Sequence, residues 1–346
     1  NVVSFSVGKY DKSLPLVIDP VLVFASYSGS TADNFGMTAT YGNDGSLFAG
    51  GTTFNSGYPT TPGAYDATFE GTPSQGITDV VISRYNSTGT TLMYSTYIGG
   101  LEAETVHSMI ANDNNELYIY GVTSSLDFPR TNNAYDNTFN GGALLRFVNN
   151  GTFFNNGTDI YVAKLNSTGT SLMSSTYIGG SANDGVNHSD VNVSVSPAYD
   201  SLQFNYGDQY RGEIFLDKEE NCYVTSSSRS SDFPTPNGFD TNLNGNQDGV
   251  VFKLDNNLSN LIWSSYIGGN SVDAGYGIRV DTSNVVYVSG GTASSAGFPI
   301  TTGTLNQTYQ GGKADGYLAK IASDGSSVLA ATYLGTSEYD QCYFID

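Results

Sequence analysis

A stretch of 22 residues recurs four times without a gap, and no other feature of the chain limits its fold as strongly. Residues 159–180 read DIYVAKLNSTGTSLMSSTYIGG. Residues 79–100, 248–269 and 315–336 read DVVISRYNSTGTTLMYSTYIGG, DGVVFKLDNNLSNLIWSSYIGG and DGYLAKIASDGSSVLAATYLGT. Each copy reads as two strands and a turn. In the first strand Tyr161, Ala163 and Leu165 share one face of the pleat, and Ile160, Val162 and Lys164 the other. Both faces are mostly apolar, so the strand is expected to be covered on both sides. The turn runs through short polar residues to Gly169, Gly89 or Gly325, where glycine allows a positive φ.

A second strand pair follows each copy, most plainly in GYGIRVDTSNVVYVSG at residues 275–290. A long loop then closes the unit around an aromatic-proline pair: Tyr58-Pro59, Phe128-Pro129, Phe233-Pro234 and Phe298-Pro299. The unit is therefore four antiparallel strands plus one loop. Tandem four-stranded units, apolar on both faces, predict an all-β chain folded as a β-propeller or an arc of one. The repeat tyrosines Tyr27, Tyr97, Tyr177, Tyr266 and Tyr333 are spaced by 70, 80, 89 and 67 residues, so an uninserted repeat takes about 67–70. The two long spacings contain insertions, at about 141–157 and 186–210.

STYIGG, the D-x-x-V-x-K-L-N strand, G-x-x-V-D-x-x-x-x-V-Y-V-x-G and the DFP-x-T loop resemble the SBBP repeat, a β-propeller repeat of secreted bacterial proteins. The resemblance covers residues 21–346. Residues 4–20 resemble the end of the domain that often precedes such repeats. The ending YLGTSEYDQCYFID resembles repeats of large Bacteroidota surface proteins exported by type IX secretion and linked to gliding motility. The resemblance implies an extracellular, cell-surface protein.

The net charge is −20, from 13 basic and 33 acidic residues, which disfavours nucleic acid and anionic membranes as partners. No apolar run approaches the roughly 18 residues of a membrane span. The chain starts at Asn1 and stops at Asp346 before a turn, as expected of a processed or truncated piece of a longer protein. Residues 1–20 are expected to finish a preceding β domain or to supply a strand. Cys222 and Cys342 stand on different repeats, so a disulfide between them is not expected.

An acidic residue follows the Gly-Gly of each unit: Asp33, Glu104, Asp184, Asp273 and Asp340. Asp33, Asp184, Asp273 and Asp340 are candidate Ca²⁺ ligands, with loop carbonyls completing the shell. The competing reading is a turn cap accepting backbone N–H bonds, and repetition in every unit favours it. No other cofactor is indicated. Arg84, Lys164, Lys253 and Lys320 recur at one strand position and are expected to pair with carboxylates. The first insertion carries Leu144, Leu145, Phe147, Phe153 and Phe154, read either as a small hairpin packed on the blade or as an exposed patch for a partner.

Catalytic signals are sparse. His107 and His188 are the only histidines, and no nucleophile elbow or phosphate loop is present. The residues favour a non-enzymatic scaffold or adhesion module presenting loops to a protein or glycan. The rivals are a propeller enzyme acting on polysaccharide, which requires two unpaired carboxylates across a pocket, and a purely structural spacer.

Overall fold

The computed structural model describes residues 23–72, 76–147, 151–188, 202–203 and 207–346. Residues 1–20 and the strand-like run at 191–195 lie outside the described residues. Blade 1 consists of β1 (Asn34–Tyr41), β2 (Leu47–Thr53), β3 (Asp79–Tyr85) and β4 (Leu92–Ile98). Blade 2 begins with β5 (Glu104–Ala111) and β6 (Leu117–Thr123). It is interrupted by a separate hairpin, β7 (Leu145–Phe147) and β8 (Thr152–Phe154), and ends with β9 (Asp159–Leu165) and β10 (Leu172–Ile178). Blade 3 holds β11 (Glu213–Leu216), β12 (Cys222–Ser228), β13 (Asp248–Leu254) and β14 (Leu261–Ile267). Blade 4 holds β15 (Asp273–Val280), β16 (Val286–Thr292), β17 (Asp315–Ile321) and β18 (Val328–Leu334).

Every blade is an antiparallel meander, so the repeated stretch is its third and fourth strands. β9 and β13 are buried along their whole length, as apolar residues on both faces require. Successive blades meet through their first strands: β1 packs on β5, β5 on β11, and β11 and β12 on β15. The result is a propeller-like arc. No strand of blade 4 pairs with blade 1 among the described residues.

The aromatic-proline loop works as a partial fifth strand. In blade 1 Thr61 N donates to Ser95 O at 3.1 Å, and Tyr97 N to Asp66 O at 3.0 Å. Blade 4 repeats this with Thr301 to Ala331 and Tyr333 to Asn306. The outer edge of each sheet is thereby covered, which blocks edge-to-edge association. This loop accounts for much of the long repeat.

Three of the four repeated cations pair with carboxylates, and Lys320 instead meets an aromatic ring. Arg84 meets Asp44 at 2.8 Å, Lys164 meets Glu116 at 2.8 Å and Glu220 at 3.5 Å, and Lys253 meets Asp217 at 3.2 Å. Glu220 belongs to the neighbouring blade, so Lys164 ties blade 2 to blade 3. Lys320 lies over the Tyr287 ring, 5.4 Å from its centre. Cys222 and Cys342 are free thiols.

Candidate functional site

The first strands of all four blades surround a cavity of about 770 Å³. A first strand pairs on one side only, so its other edge and alternate side chains face the axis of the arc. Met37, Thr38 and Thr40 come from β1, Ser108 and Met109 from β5, Glu213 from β11 and Arg279 from β15. Tyr343, Phe344 and Asp346 of the C-terminal segment complete the wall.

Described residues of the two insertions pack together at one end of this space, where Tyr210 lines it. In the first, Leu145, Phe147 and Phe154 are buried with Ala103, Val122, Val186 and Tyr210. Ring contacts run from Phe154 to Phe147 at 6.0 Å, to Tyr210 at 5.5 Å, then to His107 at 5.4 Å and Tyr120 at 5.2 Å. These five aromatic rings form a plug. The second insertion returns through a short turn, Asp208–Tyr210, directly into β11. Its Leu202 is buried against Ala274, Tyr276 and Ala314 of blade 4. Among the described residues the space thus has the form of a cup, with the aromatic plug at one end. At its open end stand Tyr41 and Phe344, both largely exposed, with Asn43 and Asp113.

Leu145, Phe147 and Phe154 thus face inward, and the reading of the insertion as an exposed patch is corrected for them. Sequence alone does not tell whether an apolar hairpin turns toward its own blade or toward solvent. Leu144 is exposed. Phe153 packs under Arg146, whose guanidinium lies 5.3 Å from the ring centre.

The charges inside the cup are engaged. Glu213 accepts from Arg279 at 2.6 Å and from Ile278 N at 2.8 Å. Asp346 lies 3.8 Å from the same guanidinium. Arg211 pairs with Asp208 at 3.3 Å and lies over the Tyr343 ring. His107 contacts Thr105 at 3.1 Å and Tyr120 at 3.4 Å, and burial drives its pKa down to about 3. It is a neutral imidazole of the plug at ordinary pH.

The recurring acids sit at the blade joints, away from the cup's open end. Asp184 accepts from Gly180 N at 2.7 Å, from Ser230 Oγ at 2.8 Å and from Ser228 Oγ. Asp273 accepts from Gly269 N at 2.8 Å and Ser294 Oγ at 2.7 Å, and Asp340 from Thr336 N at 2.7 Å. The strand register places Asn34, not Asp33, opposite Thr53, in the position that Glu104 and Asp273 occupy opposite Thr123 and Thr292. Asp33 lies one residue out of that series and is exposed. Among the described residues no group of three or more His, Cys, Asp or Glu is arranged to hold a metal ion. Asp79, Asp159, Asp248 and Asp315 cap the loop behind them, accepting from the backbone N–H of Glu70, Asn140, Asn244 and Gln310.

No family model matches the chain, and no curated protein matches it. Similar solved structures include a protein of unknown function from Dyadobacter fermentans. It is 12% identical, the match covers 90% of this chain and 71% of that one, and the TM-score is 0.38. A quinohemoprotein alcohol dehydrogenase from Comamonas testosteroni is 11% identical over 87% of this chain and 53% of its own, with a TM-score of 0.31. BamB from Moraxella catarrhalis is 10% identical over 89% and 93%, with a TM-score of 0.20.

Proposed function

We propose that the chain is a non-enzymatic extracellular scaffold or adhesion module of a large secreted cell-surface protein. It presents the open end of its cup to a protein or glycan partner. One observation carries this reading: described residues of both insertions pack at one end of the cup, and the exposed rings of Tyr41 and Phe344 stand at the other. An exposed aromatic rim with carboxamide neighbours is suited to holding a ligand by ring contact and hydrogen bonds. Glu213 and Asp346 both lie against Arg279, which speaks against the two free carboxylates of a glycosidase. The spacer reading has no use for a plugged cup. The resemblance of the repeat to those of secreted surface proteins supports the location.

The test is a titration of the protein with a panel of neutral and acidic oligosaccharides and cell-surface extracts, followed by NMR, with an assay for new reducing ends. Saturable binding that weakens in Tyr41→Ala and Phe344→Ala, without new reducing ends, is expected. New reducing ends favour the enzyme. Absence of binding to every member of the panel favours the spacer.

A further inference from the structure

At the joints from blade 1 to blade 2 and from blade 2 to blade 3, two carboxylates crowd one glycine. A methyl group on Gly99 would collide with Asp79 Oδ1 and come within 3.0 Å of Glu104 Oε2; Gly179 stands likewise between Asp159 and Asp184. The glycine that follows isoleucine in the repeat is thus required by the acids packed on it.

The donors differ between these joints. Both oxygens of Glu104 are supplied, one by Gly100 N at 3.0 Å and one by Thr123 Oγ1 at 2.7 Å. Asp159 receives Asn140 N at 2.7 Å and Gly141 N at 3.0 Å, and Asp248 receives Asn244 N at 2.8 Å and Gly245 N at 3.1 Å. Asp79 receives only Glu70 N, at 2.9 Å on Oδ2. Its Oδ1 is buried and has no donor among the described residues. An ionised oxygen left bare in the interior is costly. A protonated carboxyl at that place is itself a donor, and the acceptor sharing the Gly99 site is Glu104. We propose that Asp79 and Glu104 share one proton, held as Asp79 Oδ1–H and donated to Glu104, and that this bond is a proton-dependent clasp between blades 1 and 2.

The surroundings favour retention of the proton. Asp66 and Glu70 face the pair from the loop of blade 1, and Asp127 from the loop of blade 2. Tyr97, Tyr161 and Tyr177 surround it from β4, β9 and β10, and Thr123 and Ser125 offer hydroxyls. The cation nearby, Arg130, is engaged with the carbonyls of Leu126 and Phe128 and with Tyr177 Oη. Burial pushes Asp79 up to about 7, against the Glu70 N–H and with the neighbouring acids adding to the rise. Burial raises Glu104 as well, so the pair as a whole holds a proton above the usual carboxylate range. Raised folded values stabilise the fold below the unfolded value of about 4. That contribution is lost as pH rises through about 7. Glu104 begins β5, which carries a wall of the cup, so deprotonation loosens the wall from its outer end.

The test compares melting temperatures of the wild type, Asp79→Asn and Glu104→Gln at about pH 6 and about pH 9. In Asp79→Asn an amide N–H replaces the O–H. Its midpoint is expected within about 2 °C of wild type at the lower pH and above it at the higher. Glu104→Gln sets an NH₂ against a donor and is expected to lower the midpoint at both. Equal losses in the two variants overturn the proposal. Protein labelled separately at aspartate and glutamate carboxyl carbons locates the proton. Near pH 6 the proposal requires a protonated-aspartate signal that is lost in Asp79→Asn; a protonated-glutamate signal that is lost in Glu104→Gln overturns it.

Discussion

Two joints of the arc solve the same packing problem with opposite parts. At the joint from blade 1 to blade 2, Tyr94 of β4 lies over Gly169 in the β9–β10 turn, with no room for a Cβ there. At the joint from blade 2 to blade 3, Ser174 holds the position of Tyr94 and Leu258 that of Gly169. Leu258 is fully buried even though its φ is 56°, a region that costs a side chain about 1–2 kcal/mol. The loop contact is the same at both: Tyr65 N donates to Gly169 O at 2.8 Å, and Tyr135 N to Leu258 O at 3.0 Å. Trp263 over Gly325 and Phe24 over Gly89 follow the first pattern. One joint thus brings its bulk from the preceding blade and the other from the following blade. What is kept is the filled space rather than a residue type.

The largest expected effect comes from breaking the first pattern alone. Tyr94→Ser removes a ring that also meets Phe48 edge-on at 6.3 Å, and leaves Gly169 facing a void. Truncating a buried aromatic costs about 3–5 kcal/mol. Urea denaturation should show a loss of unfolding free energy of that order; a loss under about 1 kcal/mol would mean that the ring is not what seals the joint. Leu258→Gly breaks the second pattern more gently. It gives up a buried side chain but relieves the left-handed strain, for a net loss of about 2 kcal/mol. If this variant is instead stabilised, strain dominates at that joint and the symmetry argued above is false.

A double substitution sharpens the comparison. Tyr94→Ser with Gly169→Leu rebuilds the second joint at the first. The pair should be more stable than the sum of the two single losses by about 1–3 kcal/mol, measured as a thermodynamic cycle. Additive losses would show that Leu258 depends on its own surroundings, Tyr118 and Leu261 among them, and not on its place opposite a small residue.

Much of the architecture is legible in the sequence because the repeat carries it. Short runs that are apolar on both faces mark β3, β9, β13 and β17, and the polar turns mark where they end. The pairing of Arg84, Lys164 and Lys253 with carboxylates follows from the cost of burying a lone charge. The joints are harder to read. Tyr94 and Gly169 are separated by a whole repeat, and an exchange of bulk between them looks in each copy like an ordinary substitution. The metal candidates show a different limit. Counting from the tyrosine puts Asn34 in register, and taking Asp33 instead is a slip of one residue, which in a strand turns the side chain to the other face. The inward turn of Leu145, Phe147 and Phe154 depends on packing against Ala103, Val122 and Tyr210, distant in sequence, which no local pattern encodes. The bare oxygen of Asp79 is equally hidden, because Asp159 and Asp248 look identical to it in sequence and differ only by one backbone donor.

The smallest expected effect decides whether the contribution belongs to a position or to a joint. Ser174 occupies the same place in its strand as Tyr94, just past the same bulge. It is buried, yet Leu258 fills the space that it would otherwise have to cover. Ser174→Ala changes little volume, and thermal melting should place it within about 0.5 kcal/mol of wild type. Tyr94→Ala, at the equivalent site, belongs with the largest losses. A loss above about 1 kcal/mol for Ser174→Ala would give the serine hydroxyl a role at the joint and make the two joints different in kind. A neutral result leaves them as one geometry assembled from opposite sides.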